Sequence, residues 1–170
     1  MNSTLGNRHG SAAITTPSDT EILITRVFDA PAALIYKAMT TPELVQRWYG
    51  FETSEWLVCE IDLRVGGQWR FVNRWGDMEV GFHGEYRELV EGKRVVQTEI
   101  YEGAPDLYPT NPAINATTLE ESDGVTTMTL LITVPSQELR DMILASGMES
   151  GLQISYNRLE DLVREQAAES

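Results

Sequence analysis

The side chains best suited to holding a small molecule are aromatic. Trp48, Tyr49, Trp56, Trp69, Phe71, Trp75, Phe82, Tyr86, Tyr101 and Tyr156 are concentrated where a pocket would need them. Small-molecule cavities are mostly apolar with a few placed polar groups, and tryptophan and tyrosine supply both at once. Packing of an ordinary core accounts for the same residues. Alternation puts Trp69, Phe71 and Asn73 on one strand face, and Phe82, Gly84 and Tyr86 on another. It does not say which faces point inward. Gly147 and Gly151, one helical turn apart, expose backbone where larger residues would fill space. They either leave room for a ligand beside Met148, Leu152 and Tyr156 or let the helix approach a sheet.

Groups for covalent or acid–base chemistry are few. His83 shares a strand face with Glu85 and Arg87; Glu85 orienting His83 would move a proton, and an exposed cross-strand charge ladder is the plainer reading. No Ser or Cys stands in a nucleophile elbow. Gly66-Gly67 lacks the spacing of a phosphate loop and reads as a turn. The lone Cys59 and scattered carboxylates match neither a zinc site nor a calcium loop. No catalytic residue, metal site or cofactor is therefore expected. The acidic run Glu120-Glu121-Ser122-Asp123 is a solvated turn or a docking surface for a basic partner.

The chain has 170 residues, suited to a single core that needs neither disulfide nor structural metal. Thirteen Lys and Arg against 26 Asp and Glu leave a net charge of −13, which repels nucleic acid and anionic membrane surfaces. Residues 1–19 carry neither a signal-peptide pattern nor an apolar period, so a disordered tail and a cytoplasmic protein are expected, with one domain over 20–167.

The elements that must position these residues follow from periodicity. Glu21 to Phe28 is β-branched and short, a strand. Asp29 with Pro31, and Thr41 with Pro42, open two short helices. From Trp56 the period is two for about eighty residues. Strands are expected at Trp56 to Asp62, Gln68 to Trp75, Glu79 to Leu89, Arg94 to Glu102, Ala113 to Glu121 and Val125 to Val134. Their short connections permit only antiparallel pairing. Gly103 to Pro112 holds three prolines and reads as a long loop. After Val134 the pattern turns helical. A phase break at Ser146, with Glu149 completing an S-x-x-E capping box, splits it into Ser136 to Ala145 and Gly147 to about Gln166.

Particular motifs sharpen the picture: Arg26-Val27-Phe28-Asp29-Ala30-Pro31, Trp48-Tyr49-Gly50, Gly66 through Phe71, Gly84 through Glu88, and Arg140-Asp141 followed by Gly147 through Gly151 and Arg158-Leu159. Together they resemble the SRPBCC, or START-like, superfamily, and most closely its bacterial AHSA1-like group, related to the activator of Hsp90 ATPase. The resemblance implies an α+β helix-grip fold, in which a curved antiparallel sheet of about seven strands wraps a long C-terminal helix, with two short helices after the first strand. It implies that a hydrophobic ligand lies between sheet and helix, against Trp48, Tyr49, Trp69, Phe71, Phe82, Tyr86, Tyr101, Met148, Gly151, Leu152 and Tyr156. Two other readings come with the scaffold. One is a chaperone-docking protein of the stress response, with a chaperone or a second copy of the chain as partner. The other is a cyclase- or hydrolase-like enzyme using the same cavity.

Overall fold

Period-two alternation over residues 55 to 133 becomes a meander, and the helical segments at both ends pack on its inner face. The computed structural model describes residues 8–50, 54–109 and 111–169. Strands β1 (Ala13–Thr15) and β2 (Glu21–Phe28) precede helices α1 (Ala32–Thr40) and α2 (Pro42–Trp48). Then come β3 (Glu55–Ile61), β4 (Gln68–Trp75), β5 (Met78–Val90), β6 (Arg94–Tyr101), β7 (Ala113–Ser122) and β8 (Val125–Thr133), with α3 (Gln137–Ala145) and α4 (Met148–Glu169) closing the chain. All pairings are antiparallel, in the order β1-β2-β8-β7-β6-β5-β4-β3. β2 and β3 thus lie towards opposite edges, and α1 and α2 span the distance between them. Tyr156, Leu159, Leu162 and Val163 of α4 enter one core with Ile22, Ile24 and Phe28 of β2 and Trp69 and Phe71 of β4.

The sheet has eight strands instead of about seven, and the extra one comes from residues expected to be disordered. Ala13, Ile14 and Thr15 pair with Thr25, Ile24 and Leu23. Upstream, the chain lies along α4 as a strap. The Arg8 amide donates to both Glu160 carboxylate oxygens at 3.1 and 3.0 Å, the Gly10 amide to Asn157 Oδ1 at 2.9 Å, and Ala12 exchanges two hydrogen bonds with the Gln153 side chain. Apolar periodicity was absent because backbone hydrogen bonds to polar helix side chains hold the strap. Ordered structure therefore starts ahead of residue 20, and the first seven residues of the expected tail lie outside the described residues.

Two caps also differ. Pro31 occupies the N-cap of α1 without a side-chain bond. The Ala32 amide donates instead to Glu121 Oε1 at 2.8 Å, while Asp29 accepts two bonds from the Arg8 guanidinium. At the α3–α4 break no capping box forms: Ser146 Oγ donates to the Ile143 carbonyl at 2.6 Å, so Ser146 finishes α3. Gly147, at φ +81°, makes the break itself, in the left-handed conformation that glycine adopts without steric cost. Ser136 caps α3 as expected, accepting from the Leu139 amide at 3.1 Å. The long connection after β6 includes one 3-10 turn at Pro105–Leu107.

Within the core, Arg26 stands on the inward alternation of Ile22, Ile24 and Phe28 and is itself buried. Its guanidinium donates to Glu160 at 2.9 Å and lies 4.7 Å from the centre of the Phe28 ring. Charges so far from water persist only when paired. Glu160, with Arg26 on one side and the strap amide on the other, ties β2, α4 and the N-terminal segment together.

Candidate ligand recess

The register decides which alternating sets face α4. Trp69 lies opposite Gly84, Phe71 opposite Phe82, and Phe82 opposite Tyr101. Since Trp69 and Phe71 are in the core, Phe82, Tyr86 and Tyr101 face inward with them. Gly84 is needed there, because a Cβ would collide with the Thr98 carbonyl and the Trp69 indole that crosses it. The indole N–H donates to that same carbonyl at 3.1 Å.

The residues expected to line a site divide into two sets. Trp48, Trp69, Phe71, Tyr86 and Tyr156 are buried and already packed. Trp48 donates to the Ala38 carbonyl at 2.9 Å, and Tyr156 meets Phe28 and Trp48 at ring distances of 6.1 and 6.4 Å. Tyr49, Phe82, Tyr101, Met148, Gly151 and Leu152 stay half-buried. Tyr49 abuts Phe71 and Trp56 at 5.2 and 5.9 Å, while Phe82 and Tyr101 pair at 5.3 Å. Gly151 flanks the inward stripe of α4, and a Cβ there would meet nothing within 4 Å among the described residues. The first set is closed into the core, and the second keeps part of its surface in solvent.

Polar residues on this face escaped the sequence reading. Val95, Gln97, Glu99 and Tyr101 alternate inward on β6, with Gln97 opposite Asn115 of β7. Asn115 Nδ2 donates to Glu99 Oε1 at 3.0 Å. Burial pushes the Glu99 carboxyl up to about 7, against the smaller opposing effect of that bond. The residue nevertheless keeps some solvent exposure. Burial also raises the Tyr49 phenol far above its ordinary value, and the nearby Glu99 charge and Tyr156 add to the shift. Tyr108, from the connection after β6, is raised by burial and again by Glu99. The available signal was position, since Glu99 lies two residues before Tyr101 on one strand face.

Other candidate groups fall elsewhere. His83 is exposed on the outer face, its Nδ1 2.8 Å from Glu102 Oε2. Glu102 is also gripped by Arg70 at 2.9 and 3.0 Å, whose bond holds its carboxyl below the usual range. Glu85 does not orient His83; it pairs with Arg87 at 3.2 Å. Burial lifts the Cys59 thiol to about 11, a poor nucleophile. Ligand atoms of His9, Glu160 and Asp161 come within 4.8 Å of one another, but Glu160 already serves Arg26 and the strap amide, so the trio anchors the strap. An open trough of about 660 Å³ lies where the start of α1 meets β7 and the β5–β6 turn, lined by residues such as Ala32, Val90, Arg94, Leu119 and Glu121, and a smaller hollow lies beside Asp62 and Gln68. No helix among the described residues is long and apolar enough to cross a membrane.

Solved structures share the architecture. A Rhodobacter sphaeroides protein, 21% identical, covers 91% of this chain and 99% of its own with a TM-score of 0.81. A Mycobacterium smegmatis protein at 23% identity covers 91% and 98% with a TM-score of 0.77. A Chromobacterium violaceum protein at 26% identity covers 86% and 98% with a TM-score of 0.73. No protein with a curated description matches the chain. Residues 29–164 match the sequence profile of one family, that of the activator of Hsp90 ATPase homolog 1-like proteins, and with this helix-grip arrangement of sheet and helices the chain belongs to that family.

Proposed function

We propose that this protein binds a small hydrophobic molecule in the recess between α4 and the inner face of the sheet. The observation that carries this reading is the half-buried rim. Tyr49, Phe82, Tyr101, Met148 and Leu152 are apolar or aromatic, face the interior and still retain solvent exposure. A closed core would bury such residues, because each gains roughly 1.5–3 kcal/mol from full burial. Leaving several half-exposed on the face that α4 covers is the pattern of an apolar ligand site. The chaperone-docking reading draws support only from the family's name. An enzymatic reading has Glu99 with the Tyr49 and Tyr108 phenols near it, and burial raises both phenols away from proton transfer near neutral pH.

The test is binding of the neutral fluorescent probe N-phenyl-1-naphthylamine to wild type and Gly151→Leu. Probe fluorescence should rise with wild type, and the variant should bind at least several-fold more weakly. Its stability should be unchanged or slightly higher, since replacing a helical glycine gains up to about 1 kcal/mol and the side chain enters open space. A silent probe with wild type, or a loss of about 1–3 kcal/mol from overpacking in the variant, would refute the reading.

A further inference from the structure

Glu99 and Asn115 form a hydrogen-bonded polar pair from neighbouring strands whose register puts both on the inner face, beside Gln97. Asn115 uses its amide N–H on Glu99 at 3.0 Å. That leaves Asn115 Oδ1 shielded from solvent without a hydrogen-bond partner among the described residues. A buried acceptor lacking a donor is unfavourable, and two such oxygen-bearing groups side by side ask for a ligand that donates.

The groups facing this pair come from every element around it. Tyr49, at the end of α2, and Tyr108, in the connection after β6, both feel the Glu99 charge, with Tyr156 of α4 beyond Tyr49. Asn115 bonds to Glu99 and opposes the effect of burial. Among the described residues no Lys, Arg or His forms an ion pair with the carboxyl, so it lacks the cation that Arg26 gives Glu160. Around it stand Tyr49 and, on its own face of β6, Tyr101 paired with Phe82. Aromatic faces attract cations, and a net charge of −13 draws cations towards the protein.

We propose that Glu99 and Asn115 anchor the amine end of the ligand, so that the recess takes an apolar or aromatic molecule carrying a basic nitrogen. One N–H reaches the Glu99 carboxylate and another reaches Asn115 Oδ1. This rests on the small-molecule reading above and adds the ligand's chemical class. The carboxyl, raised to about 7 by burial, ionises as pH climbs from 6 to 8 while an aliphatic amine remains protonated. Amine binding therefore strengthens over that interval.

Displacement of N-phenyl-1-naphthylamine by three competitors of matched shape tests the proposal: 2-(2-naphthyl)ethylamine, 2-ethylnaphthalene and 2-naphthylacetate. In wild type at pH 7.5 the amine should compete at about tenfold lower concentration than the hydrocarbon or better, the scale of a charge-assisted hydrogen bond. The carboxylate should compete worst. Glu99→Gln keeps the side-chain shape and should still bind the reporter, with the amine advantage reduced to less than about threefold. Equal competition by amine and hydrocarbon in wild type, or an advantage that survives Glu99→Gln, overturns the proposal and leaves the recess standing. Failure of the reporter to bind wild type overturns the recess and the proposal together.

Discussion

Replacing Glu99 by Gln should make the protein more stable, and only above neutral pH. The carboxyl is raised from 4.5 to about 7 in the folded state. Between those values the folded protein holds a proton that the unfolded chain has released, so stability falls as pH rises, by up to about 1.4 kcal/mol per unit. The stability contributed by the neutral carboxyl is fully present below pH 4.5 and lost by about pH 8. Across the window this amounts to about 3 kcal/mol, or about 2 kcal/mol once the solvent kept by the side chain is allowed for. Gln retains the shape and hydrogen-bonding capacity of the neutral acid and never ionises. The variant should therefore exceed wild type by about 2–3 kcal/mol at pH 8 and match it within about 1 kcal/mol at pH 4.5. Urea denaturation at the two pH values measures this, and with a slope of about 2 kcal/mol/M the midpoints should separate by about 1 M at pH 8. Comparing the two proteins at each pH cancels the titration of the other 25 acidic residues, 26 in all less Glu99. A gap of the same size at both pH values, or a variant less stable than wild type at pH 8, would show that Glu99 is ionised and well solvated.

Truncation of residues 1–15 should cost about 2 kcal/mol and lower the melting temperature by about 4–8 °C, because it removes β1 and the strap bonds to Gln153, Asn157 and Glu160; an unchanged melting curve would mean the strap adds no stability. Leu159→Ala should cost about 2–5 kcal/mol, since the side chain is fully buried. Leu152→Ala, at the half-buried rim, should cost no more than about 1 kcal/mol. Equal urea midpoints for these two variants would contradict the division of α4 into a core-facing half and a recess-facing half.

Local chemistry was enough to read the strands and helices other than β1. β2 at Glu21–Phe28 and β4 at Gln68–Trp75 fall where β-branched and alternating residues put them, and the hydrophobic phase shift near Ser146 announces the α3–α4 break. Periodicities of two and 3.6 are properties of neighbouring residues, so they survive without tertiary information. The same locality misassigned the break's mechanism, because Ser146 with Glu149 matches a capping box in spacing while the left-handed backbone at Gly147 does the work.

What remained hidden depends on residues far apart in the chain. Alternation groups Trp69 with Phe71 and Glu99 with Tyr101, but it is symmetric, and only the register with Phe82 and Asn115 turns those sets towards α4. Arg26 shares the buried alternation of Ile22, Ile24 and Phe28, and its counter-charge, Glu160, lies 134 positions later in the chain. His83 finds Glu102 across β5 and β6 instead of Glu85 two residues away. The strap has no pattern of its own, since backbone amides bind whatever acceptors α4 presents. The sequence by itself determined a single antiparallel sheet closed by a long helix, because burial of alternating and helical stripes allows little else. Only the tertiary structure decided that a carboxyl would be enclosed there without a cation, because its ionisation depends on the partners and solvent that folding brings to it.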